Sequence, residues 1–442
     1  MHSPANIYRP DEVSRVLANF AKWLDSYGET SHDHQSFFAG PVGRQAKSLY
    51  YRNRIVGTAA VAPMIFCEAF LPSARRLFHH PTRFPIADAH YAMGFAMLYE
   101  ATGNTAYLER AIHFLGELKA SRCPNFKEYC WGYPFNWVTR NGVIKKQTPL
   151  ITTTPYCYEA FLQVCEIFER ASDLRPPTSV LSPLEPHKEW RRILESIARH
   201  ACNDIRDFKT SETASSCSYT PFDQSGGVVN AAAYRAFLLT SASRVFSNEN
   251  YWKTAERNLN FVLEAQKPDG SWPYAVDTVR DFVDHYHTCF VMKALAKIHR
   301  LTGDKTVAAA LKKGVGYYLK NLFDEREFPK PFAKAPRLTV YKRELYDFAE
   351  CINLCLLLRD CFPELENALQ RVIRRILEVW IKPDGSFRSR RLHFGWDNVP
   401  MHRWGQSQMF RSLAFYLFEA RKSEKLKTET LKQRQNVETV TR

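Results

Sequence analysis

Two pairs of titratable residues stand three positions apart in the second half of the sequence. Asp284 precedes His287, and Asp347 precedes Glu350. Because residues three positions apart share one face of a helix, the members of each pair could act together. A carboxylate that orients an imidazole, or two carboxylates of unequal pKa, is typical of acid/base catalysis, and Glu159 is a third candidate acid. Each aspartate could instead be the N-terminal cap of a helix, and the spacing leaves that alternative open.

Aromatic, amide and guanidinium side chains gather in separate stretches and indicate a substrate-binding site. The stretch CWGYPFNW at Cys130–Trp137 is too aromatic for a simple connection and is typical of a rim loop, although it could also plug the end of a ring. In MHRWGQ at Met401–Gln406, Arg403 suits bidentate pairing with a carboxylate or phosphate, or it forms a buried pair with Asp397. The candidate binding residues are Tyr133, Asn136, Trp137, Tyr156, Asp223, Asn230, Trp396, His402, Arg403, Trp404 and Gln406.

Helices must bring these residues together, since apolar residues recur at helical spacing along the whole sequence. The periodicity predicts about thirteen helices and no long strand. Polar and aromatic clusters begin every other helix, and Asp88 in the first cluster lies 314 residues before His402 in the last. Over the five intervals the mean spacing is about 63 residues, which is the length of two helices with their loops. The six clusters are Asp88–Tyr91, Thr154–Glu159, Gly226–Arg235, Asp284–His287, Tyr346–Glu350 and Met401–Gln406.

Two sequence echoes support a repeated helical hairpin. QKPDGSWPY at Gln266–Tyr274 matches IKPDGSF at Ile381–Phe387, and TGN at Thr102–Asn104 matches TGD at Thr302–Asp304. In the first echo Pro stops a helix and Gly supplies a left-handed turn, whereas the second echo joins one helix to the next. A hairpin that cannot bury its apolar face alone buries it against the next hairpin. The sequence therefore predicts an all-α fold, an (α/α)6 toroid with a central cavity.

Four stretches match a known group of toroid proteins in order and spacing: Cys130–Trp137, Tyr219–Asp223 (YTPFD), Asp281–Thr288 (DFVDHYHT) and Met401–Met409 (MHRWGQSQM). Over Asp88–Ala420 the chain resembles the toroid proteins of bacterial exopolysaccharide and capsule biosynthesis clusters, within the six-hairpin, terpenoid-cyclase-like superfamily. A weaker likeness, through the Q-x-x-x-G-x-W-P turn, is to the helical domain of glucuronyl C5-epimerases. The resemblance implies a toroid in a glycan-building context. Terpene cyclisation is disfavoured, because the sequence contains no DxDD or DDxxD motif.

The composition suits a folded protein and favours some partners over others. Hydrophobic residues make up 45% of the 442 residues, charged residues 24% and aromatic residues 14%, and the net charge is +15. The positive charge favours an anionic oligo- or polysaccharide and is compatible with a membrane surface or with polysaccharide-assembly proteins. Nucleic acid is disfavoured, since no matching motif is present. The eleven cysteines include no CxxC pair, so we expect reduced cysteines, a cytoplasmic location, no metal and no other cofactor.

We expect three parts in the chain. These are an N-terminal helix with a connecting segment at residues 1–50, the toroid at 51–421, and a basic, disordered tail at 422–442. The start of the chain contains no apolar stretch typical of a secretory signal. The longest apolar run, Ile55–Cys67, is too short to span a bilayer, and we expect it to be a buried helix. Four histidines fall in polar stretches and are expected in surface loops: His32, His34, His79 and His80.

These features together predict a carbohydrate-active enzyme of polysaccharide or glycoconjugate biosynthesis. We favour hydrolysis, which needs a proton donor and a second carboxylate. C5-epimerisation or elimination of a uronate is the second candidate, and it needs a base near C5 and a cation for the carboxylate. A non-catalytic glycan-binding or assembly protein is the third. Two carboxyl groups about 5–9 Å apart across an open cleft would indicate hydrolysis. A Tyr or His facing an Arg would indicate uronate chemistry, and a blocked cavity would indicate binding alone.

Overall fold

Helices form the body of the protein. The computed structural model describes residues 10–173, 185–336 and 338–440, and this part of the chain contains sixteen α-helices. In chain order they are α1 (Pro10–Tyr27), α2 (Ser36–Ala39), α3 (Pro41–Arg52), α4 (Arg54–Phe70), α5 (Arg75–Phe78), α6 (Pro85–Thr102), α7 (Thr105–Ala120), α8 (Thr154–Asp173), α9 (Glu185–Asn203), α10 (Val229–Val245), α11 (Glu249–Glu264), α12 (His285–Thr302), α13 (Lys305–Asn321), α14 (Leu345–Leu358), α15 (Leu365–Arg375) and α16 (Ser407–Val440). Single π-helical turns at Ile376–Trp380 and His402–Gln406 follow α15 and precede α16.

Twelve of these helices form two concentric layers. The inner layer consists of α6, α8, α10, α12, α14 and α16, each packed on the next, and α16 closes the ring against α6. Each inner helix has an outer partner: α7 lies on α6, α9 on α8, α11 on α10, α13 on α12, α15 on α14, and α1 on α16. The predicted (α/α)6 toroid is therefore confirmed, and its inner helices begin in or beside the six predicted clusters.

Burial distinguishes the two layers. The inner helix α10 buries every residue from Val229 to Ala242, because it contacts neighbours on all sides. The outer helix α15 buries one stripe, which consists of Leu365, Ala368, Leu369, Val372 and Ile373. A helix that is apolar all round belongs in the interior, and an amphipathic helix covers it. The helical periodicity of the sequence thus encodes the two layers.

Short strands lie in the loops between the helices. They are β1 (Trp137–Thr139), β2 (Gly142–Ile144), β3 (Asp207–Lys209), β4 (Ser215–Cys217), β5 (Val283–Asp284), β6 (Phe332–Lys334), β7 (Tyr341–Glu344), β8 (Arg390–Leu392) and β9 (Trp396–Asp397). All pairs are antiparallel: β1 with β2, β3 with β4, β5 with β6, and β8 between β7 and β9. Strands of two to four residues are too short to give a period-two signal in the sequence.

The apolar run at Ile55–Cys67 is not a buried helix, so that prediction is wrong. It forms most of α4, in which only Gly57 and Met64 are buried. The helix packs on α3 at the edge of the ring and leaves much of its apolar surface to solvent. Among the described residues, no helix is both long and apolar enough to cross a membrane.

The two ends of the described chain can be compared with the three parts that the sequence predicts. Helix α1, which we expected outside the toroid, takes the outer position next to α16. Helix α16 continues to Val440, through most of the segment expected to be a tail. The boundaries at residues 50 and 421 stay predictions. All eleven cysteines are free, and eight of them are buried.

Candidate active site at the mouth of the ring

Aromatic side chains surround the end of the ring at which the inner helices begin, and we call this end the ring mouth. Its partly exposed members are Tyr133, Trp137, Tyr219, Tyr274, Phe282, Tyr286, His287 and Trp404. Neighbouring ring centroids lie 4.8 Å apart for Tyr274 and Phe282, 5.2 Å for Tyr286 and Trp404, and 5.5 Å for Tyr133 and Trp137. Broad, rigid aromatic faces beside a few polar groups are typical of small-molecule and sugar sites.

The pair Asp284 and His287 lies at this mouth. Asp284 caps α12, because its Oδ1 accepts a hydrogen bond from the His287 backbone N–H at 3.2 Å. Its Oδ2 lies 2.6 Å from Nδ1 of the same imidazole. Both sequence alternatives therefore hold at once, since the carboxylate caps the helix and also orients the ring. Asp284 is 1% exposed and His287 19%, so the imidazole is the solvent-facing member of the pair.

Asp347 is buried at the start of α14, and neither of its carboxyl oxygens has a hydrogen-bond partner among the described residues. Burial, followed by the negative charges of Glu344, Asp284 and Glu350, raises the pKa of Asp347 well above its usual range. The environment therefore favours a neutral carboxylic acid, which can donate a proton. In the described part of the chain, no three His, Cys, Asp or Glu side chains are grouped as metal ligands.

Arg403 forms a buried ion pair with a residue from the N-terminal segment. Its Nε and Nη2 donate to the Asp33 carboxylate at 2.9 and 2.6 Å, and its Nη1 donates to the Tyr133 hydroxyl at 3.2 Å. Although burial opposes it, the guanidinium holds the pKa of Asp33 well below its usual range. The structure thus contains the buried Arg–Asp pair that the sequence left open. The partner is Asp33, however, and Asp397 binds Arg75 at 2.8 Å instead.

Trp404 is presented at the mouth by a break in the helical backbone before α16. Gly405 has φ of 140°, and a Cβ at this position would lie 3.1 Å from the Leu345 side chain. Both conditions favour glycine, because other residues rarely adopt such a φ. The indole of Trp404 stacks on Tyr346 with 4.4 Å between centroids and 7° between ring planes. The mouth therefore gains one rigid aromatic platform, built from α14 and the turn before α16.

Ion pairs occupy the axis of the ring below the mouth. Lys293 of α12 binds Glu350 of α14, and Lys297, one turn further along α12, binds Glu159 of α8. Burial lowers the pKa of Lys297 to about 8, and Glu159 opposes that shift. Glu159 and Glu350 were candidate acids, and the structure pairs both with lysines of α12; Glu350 is buried, whereas Glu159 is 16% exposed.

Two further candidates are buried at the starts of inner helices. Tyr156 is 2% exposed, and its hydroxyl is hydrogen-bonded to that of Tyr234. Asn230 is also 2% exposed, and its Oδ1 has no hydrogen-bond partner among the described residues. Neither side chain reaches solvent, so both lie beneath the surface that a ligand would first contact.

The remaining candidates hold local structure or lie beside the mouth: Asn136, Asp223, Trp396, His402 and Gln406. The Gln406 amide bonds to the backbone N–H and C=O of Phe387 at 3.1 and 2.7 Å. The His402 imidazole lies between the Tyr91 hydroxyl and the Gly28 carbonyl. Asp223 accepts hydrogen bonds from its own loop, Trp396 packs against Trp380, and Asn136 fixes the β1–β2 loop. The mouth thus gathers Asp284, His287, Tyr133, Trp137, Arg403 and Trp404, with Asp347 beneath them.

Asp33 and His34, which contact Arg403 and Trp404, carry no recognised signal in the sequence. His34 was expected in a surface loop, but only 17% of its side chain is exposed, and its ring lies 4.2 Å from that of Trp404. Burial lowers the pKa of His34 to about 3, against the opposing charge of Asp33. Tyr286, by contrast, stands between the histidines of the DHYH cluster and could have been chosen from that position.

Comparisons with solved structures identify the fold. No family model and no curated protein matches the chain. Similar structures include D-mannose isomerase, with a TM-score of 0.59, 11% identity, and 95% of this chain and 100% of that chain covered. The unsaturated glucuronyl hydrolase of a Bacillus species has a TM-score of 0.58 and 11% identity, and the match covers 92% of this chain and 96% of that chain. The cellobiose 2-epimerase of Bacillus thermoamylovorans has a TM-score of 0.55 and 11% identity, and the match covers 77% of this chain and 90% of that chain.

At such identities the likeness shows the helical toroid alone. The structural neighbours are carbohydrate-processing enzymes, and they include epimerases, hydrolases and a lyase. These three classes of enzyme catalyse different reactions on similar scaffolds, so the fold does not identify the reaction. The reaction of this chain has to be inferred from the groups at its own ring mouth.

Proposed function

We propose that the protein is an enzyme that catalyses proton transfer to and from a glycan bound at the ring mouth. His287 is the general acid/base residue. The observation that carries this proposal is the 2.6 Å contact between Asp284 Oδ2 and His287 Nδ1 in a partly exposed imidazole. A carboxylate on Nδ1 fixes the ring and its tautomer and leaves Nε2 to exchange a proton with a substrate. The aromatic rings of Tyr274 and Tyr286, which flank the His287 imidazole, would hold the sugar beside it.

Proton transfer at a sugar carbon, as in epimerisation or elimination, is the reaction that this arrangement supports best. At the ring mouth the partly exposed acid/base group is the imidazole of His287, whereas glycoside hydrolysis needs two carboxyl groups at the reacting bond. Asp284, Asp347 and Glu350 are each buried to 1% exposure or less. We therefore place hydrolysis second, in contrast to the order that the sequence favours.

Hydrolysis stays a candidate because of one observation. The environment of Asp347 favours its protonated form, and a neutral carboxylic acid is the proton donor that glycosidic cleavage requires. In that reaction His287 would activate the water. A different observation favours the third candidate, a glycan-binding protein without catalysis. The ion pairs of Lys293 and Lys297 occupy the axis of the ring, where a central catalytic cavity was expected.

The test is incubation of the full chain with a panel of neutral and uronate-containing oligosaccharides in D2O. Deuterium at a sugar carbon reports epimerisation, absorbance of an unsaturated uronate reports elimination, and new reducing ends without that absorbance report hydrolysis. We expect one of the first two readouts. His287→Gln and Asp284→Asn should lower that rate by about 10²–10⁴-fold.

His113→Gln is the matched control, because His113 is 48% exposed on the outer helix α7. Full activity of the His287 variant would overturn the assignment of the base. Binding of an oligosaccharide with no signal in any readout would favour the non-catalytic candidate.

A further inference from the structure

A cavity of about 480 Å³ opens beside the ring mouth. Its walls come from three parts of the chain, namely the start of α3, residues 76–80, and the loop that includes β1 and β2. The loop is shared with the mouth. Phe135 lines the cavity, and its ring stacks on that of Tyr133 with 5.5 Å between centroids. The cavity therefore adjoins the rim of the candidate active site, with the Phe135 ring between them.

The charged side chains that line this cavity are all cationic. Arg44, Arg76 and Lys146 line it together with His79 and His80, and no aspartate or glutamate is among the lining residues. Arg44 is held in place by a 2.5 Å hydrogen bond from Nη1 to the Ala39 carbonyl. No carboxylate is found in an ion pair with these three cations in the part of the chain that the structure describes. An unneutralised cluster of cations in a concave site attracts an anion.

The walls also contain apolar surface suited to a sugar ring. Phe78, Phe135 and Pro134 lie between the cationic groups. Asn136 sets the position of Lys146, because its Oδ1 accepts a hydrogen bond from the Lys146 backbone N–H at 2.8 Å. An apolar wall with a few cations beside it matches a sugar that carries an oxyanion, since one face of such a sugar is apolar.

We propose that this cavity is a subsite for an acidic sugar residue, one that carries a carboxylate or a phosphate group. This inference rests on the proposed function, because the acidic residue belongs to the same glycan whose neighbouring sugar occupies the ring mouth. The subsite would give the enzyme its preference for an anionic chain, a preference that the net charge of +15 alone cannot localise.

The experiment is calorimetric titration of the His287→Gln protein, in which turnover is expected to be slow, with three probes. These are a glucuronate-containing oligosaccharide, its neutral glucose counterpart and a sugar phosphate. The double variant Arg76→Ala/Lys146→Ala should weaken binding of an acidic probe by about five- to tenfold, with little change for the neutral probe. The tighter of the two acidic probes identifies the oxyanion.

Lys145→Ala is the matched control, because Lys145 is exposed, precedes Lys146 and does not line the cavity. Equal losses in the control and the double variant, or an acidic probe that binds the double variant unchanged, would overturn the subsite. Binding and turnover separate the two proposals. An acidic probe whose binding needs Arg76 and Lys146, but which the wild-type protein never converts, supports the subsite and contradicts the enzymatic function.

A second inference starts from the uncovered face of α4. Ile55 is 86% exposed, Phe66 56% and Phe70 52%, and these positions lie along one side of the helix. Leu71 and Leu77, at 55% and 79%, extend the same apolar surface beyond its end. Soluble proteins rarely leave so continuous an apolar surface without a partner.

Positive charge borders this surface. Arg52, Arg54 and Arg76 are exposed around it. Between residues 41 and 80, Glu68 is the single acidic residue, and it is paired with Arg390 at 2.8 Å. An apolar helix face with cations at its edges is typical of helices that lie in the interface of an anionic bilayer.

We propose that the α4 face rests on an anionic lipid surface. Vesicles with phosphatidylglycerol should sediment the protein, and pure phosphatidylcholine vesicles should not. Phe66→Ser/Phe70→Ser should abolish sedimentation, whereas Val143→Ser, at a 54% exposed residue of β2, should not affect it. A dimer in sedimentation velocity that the Phe variant dissociates, without vesicle binding by either protein, would overturn the proposal in favour of a second copy of the chain.

Discussion

The carboxyl group of Asp347 has neither a hydrogen-bond donor nor an ion-pair partner among the described residues, whereas Glu350 is paired with Lys293. Asp223, in contrast, accepts three hydrogen bonds from residues 219 and 220. Burial and neighbouring carboxylates raise the pKa of Asp347, so the folded protein keeps a proton that the unfolded chain releases above about pH 4. The contribution of Asp347 to stability is thus full at acidic pH and is lost as the pH rises.

We predict that Asp347→Asn is at least as stable as the wild type at pH 8 and loses less stability between pH 5 and pH 8. The amide has nearly the same shape and cannot ionise, so the penalty at high pH disappears. Urea unfolding at both pH values measures the effect. Asp223→Asn should instead cost about 1 kcal/mol at either pH, because an amide cannot accept all three hydrogen bonds. A larger loss for Asp347→Asn than for Asp223→Asn would contradict the assigned protonation.

The sequence predicts which residue types reach the site but not their partners. The three-residue spacing of Asp284 and His287 lies within one helical turn, and the structure contains their contact. The partner of Arg403 is Asp33, 370 positions away, and nothing local to either residue marks the pair. Glu159 and Glu350 have local patterns like that of Asp347, and only the lysines of α12 turn them into ion pairs.

The two PDGS turns are the clearest repeated elements of the fold. In the first, Asp269 Oδ1 accepts from the Ser271 backbone N–H and hydroxyl at 2.9 and 2.7 Å. In the second, Asp384 and Ser386 make the same two bonds at 3.0 and 2.7 Å. Each turn also approaches a neighbouring outer helix, because a Cβ on Gly270 would lie 2.4 Å from the Lys313 carbonyl oxygen of α13. The turn therefore holds one hairpin against the next.

Gly270→Ala should destabilise the protein by about 2–4 kcal/mol in urea unfolding, since the substitution adds a backbone clash to a φ of +92°. Gly303→Ala is the control that isolates the effect of φ. Gly303 has φ of +70° and open space where a Cβ would lie, so the cost should be about 1 kcal/mol. Equal costs for the two variants would mean that α13 moves freely away from the turn.

Helices were predictable because their apolar period extends over many residues, while their exact starts depend on single hydrogen bonds. The pattern predicts a helix over Phe282–Leu301, but α12 begins at His285 because Asp284 caps it and pairs with β6. The error at Ile55–Cys67 has a different cause. Its composition is that of a buried helix, but most of the helix is left uncovered by the described chain. The sequence of the helix alone does not reveal that its neighbours leave it exposed.

The whole ring was predictable from one number, the mean spacing of about 63 residues between clusters, because that length admits one helical hairpin. The ion pairs on the axis of the ring were not predictable, because they join side chains from different helices that meet only in the closed ring. Lys293 and Lys297 fall on an ordinary apolar stretch of α12, and the acids that neutralise them come from α14 and α8.

The closed ring also depends on its first helix. Phe20 of α1 is fully buried, and its ring stacks on Phe387 at 5.2 Å and on Phe410 of α16 at 5.1 Å. Phe20→Ala should cost about 3–5 kcal/mol in urea unfolding, as expected for a large core aromatic. Lys22→Ala, at an exposed position of the same helix, should stay within about 0.5 kcal/mol of the wild type. A cost below about 1 kcal/mol for Phe20→Ala would show that α1 is an appendage to the toroid, as the boundary at residue 50 implies. A large cost in a single cooperative transition would show that α1 folds as an integral part of the ring.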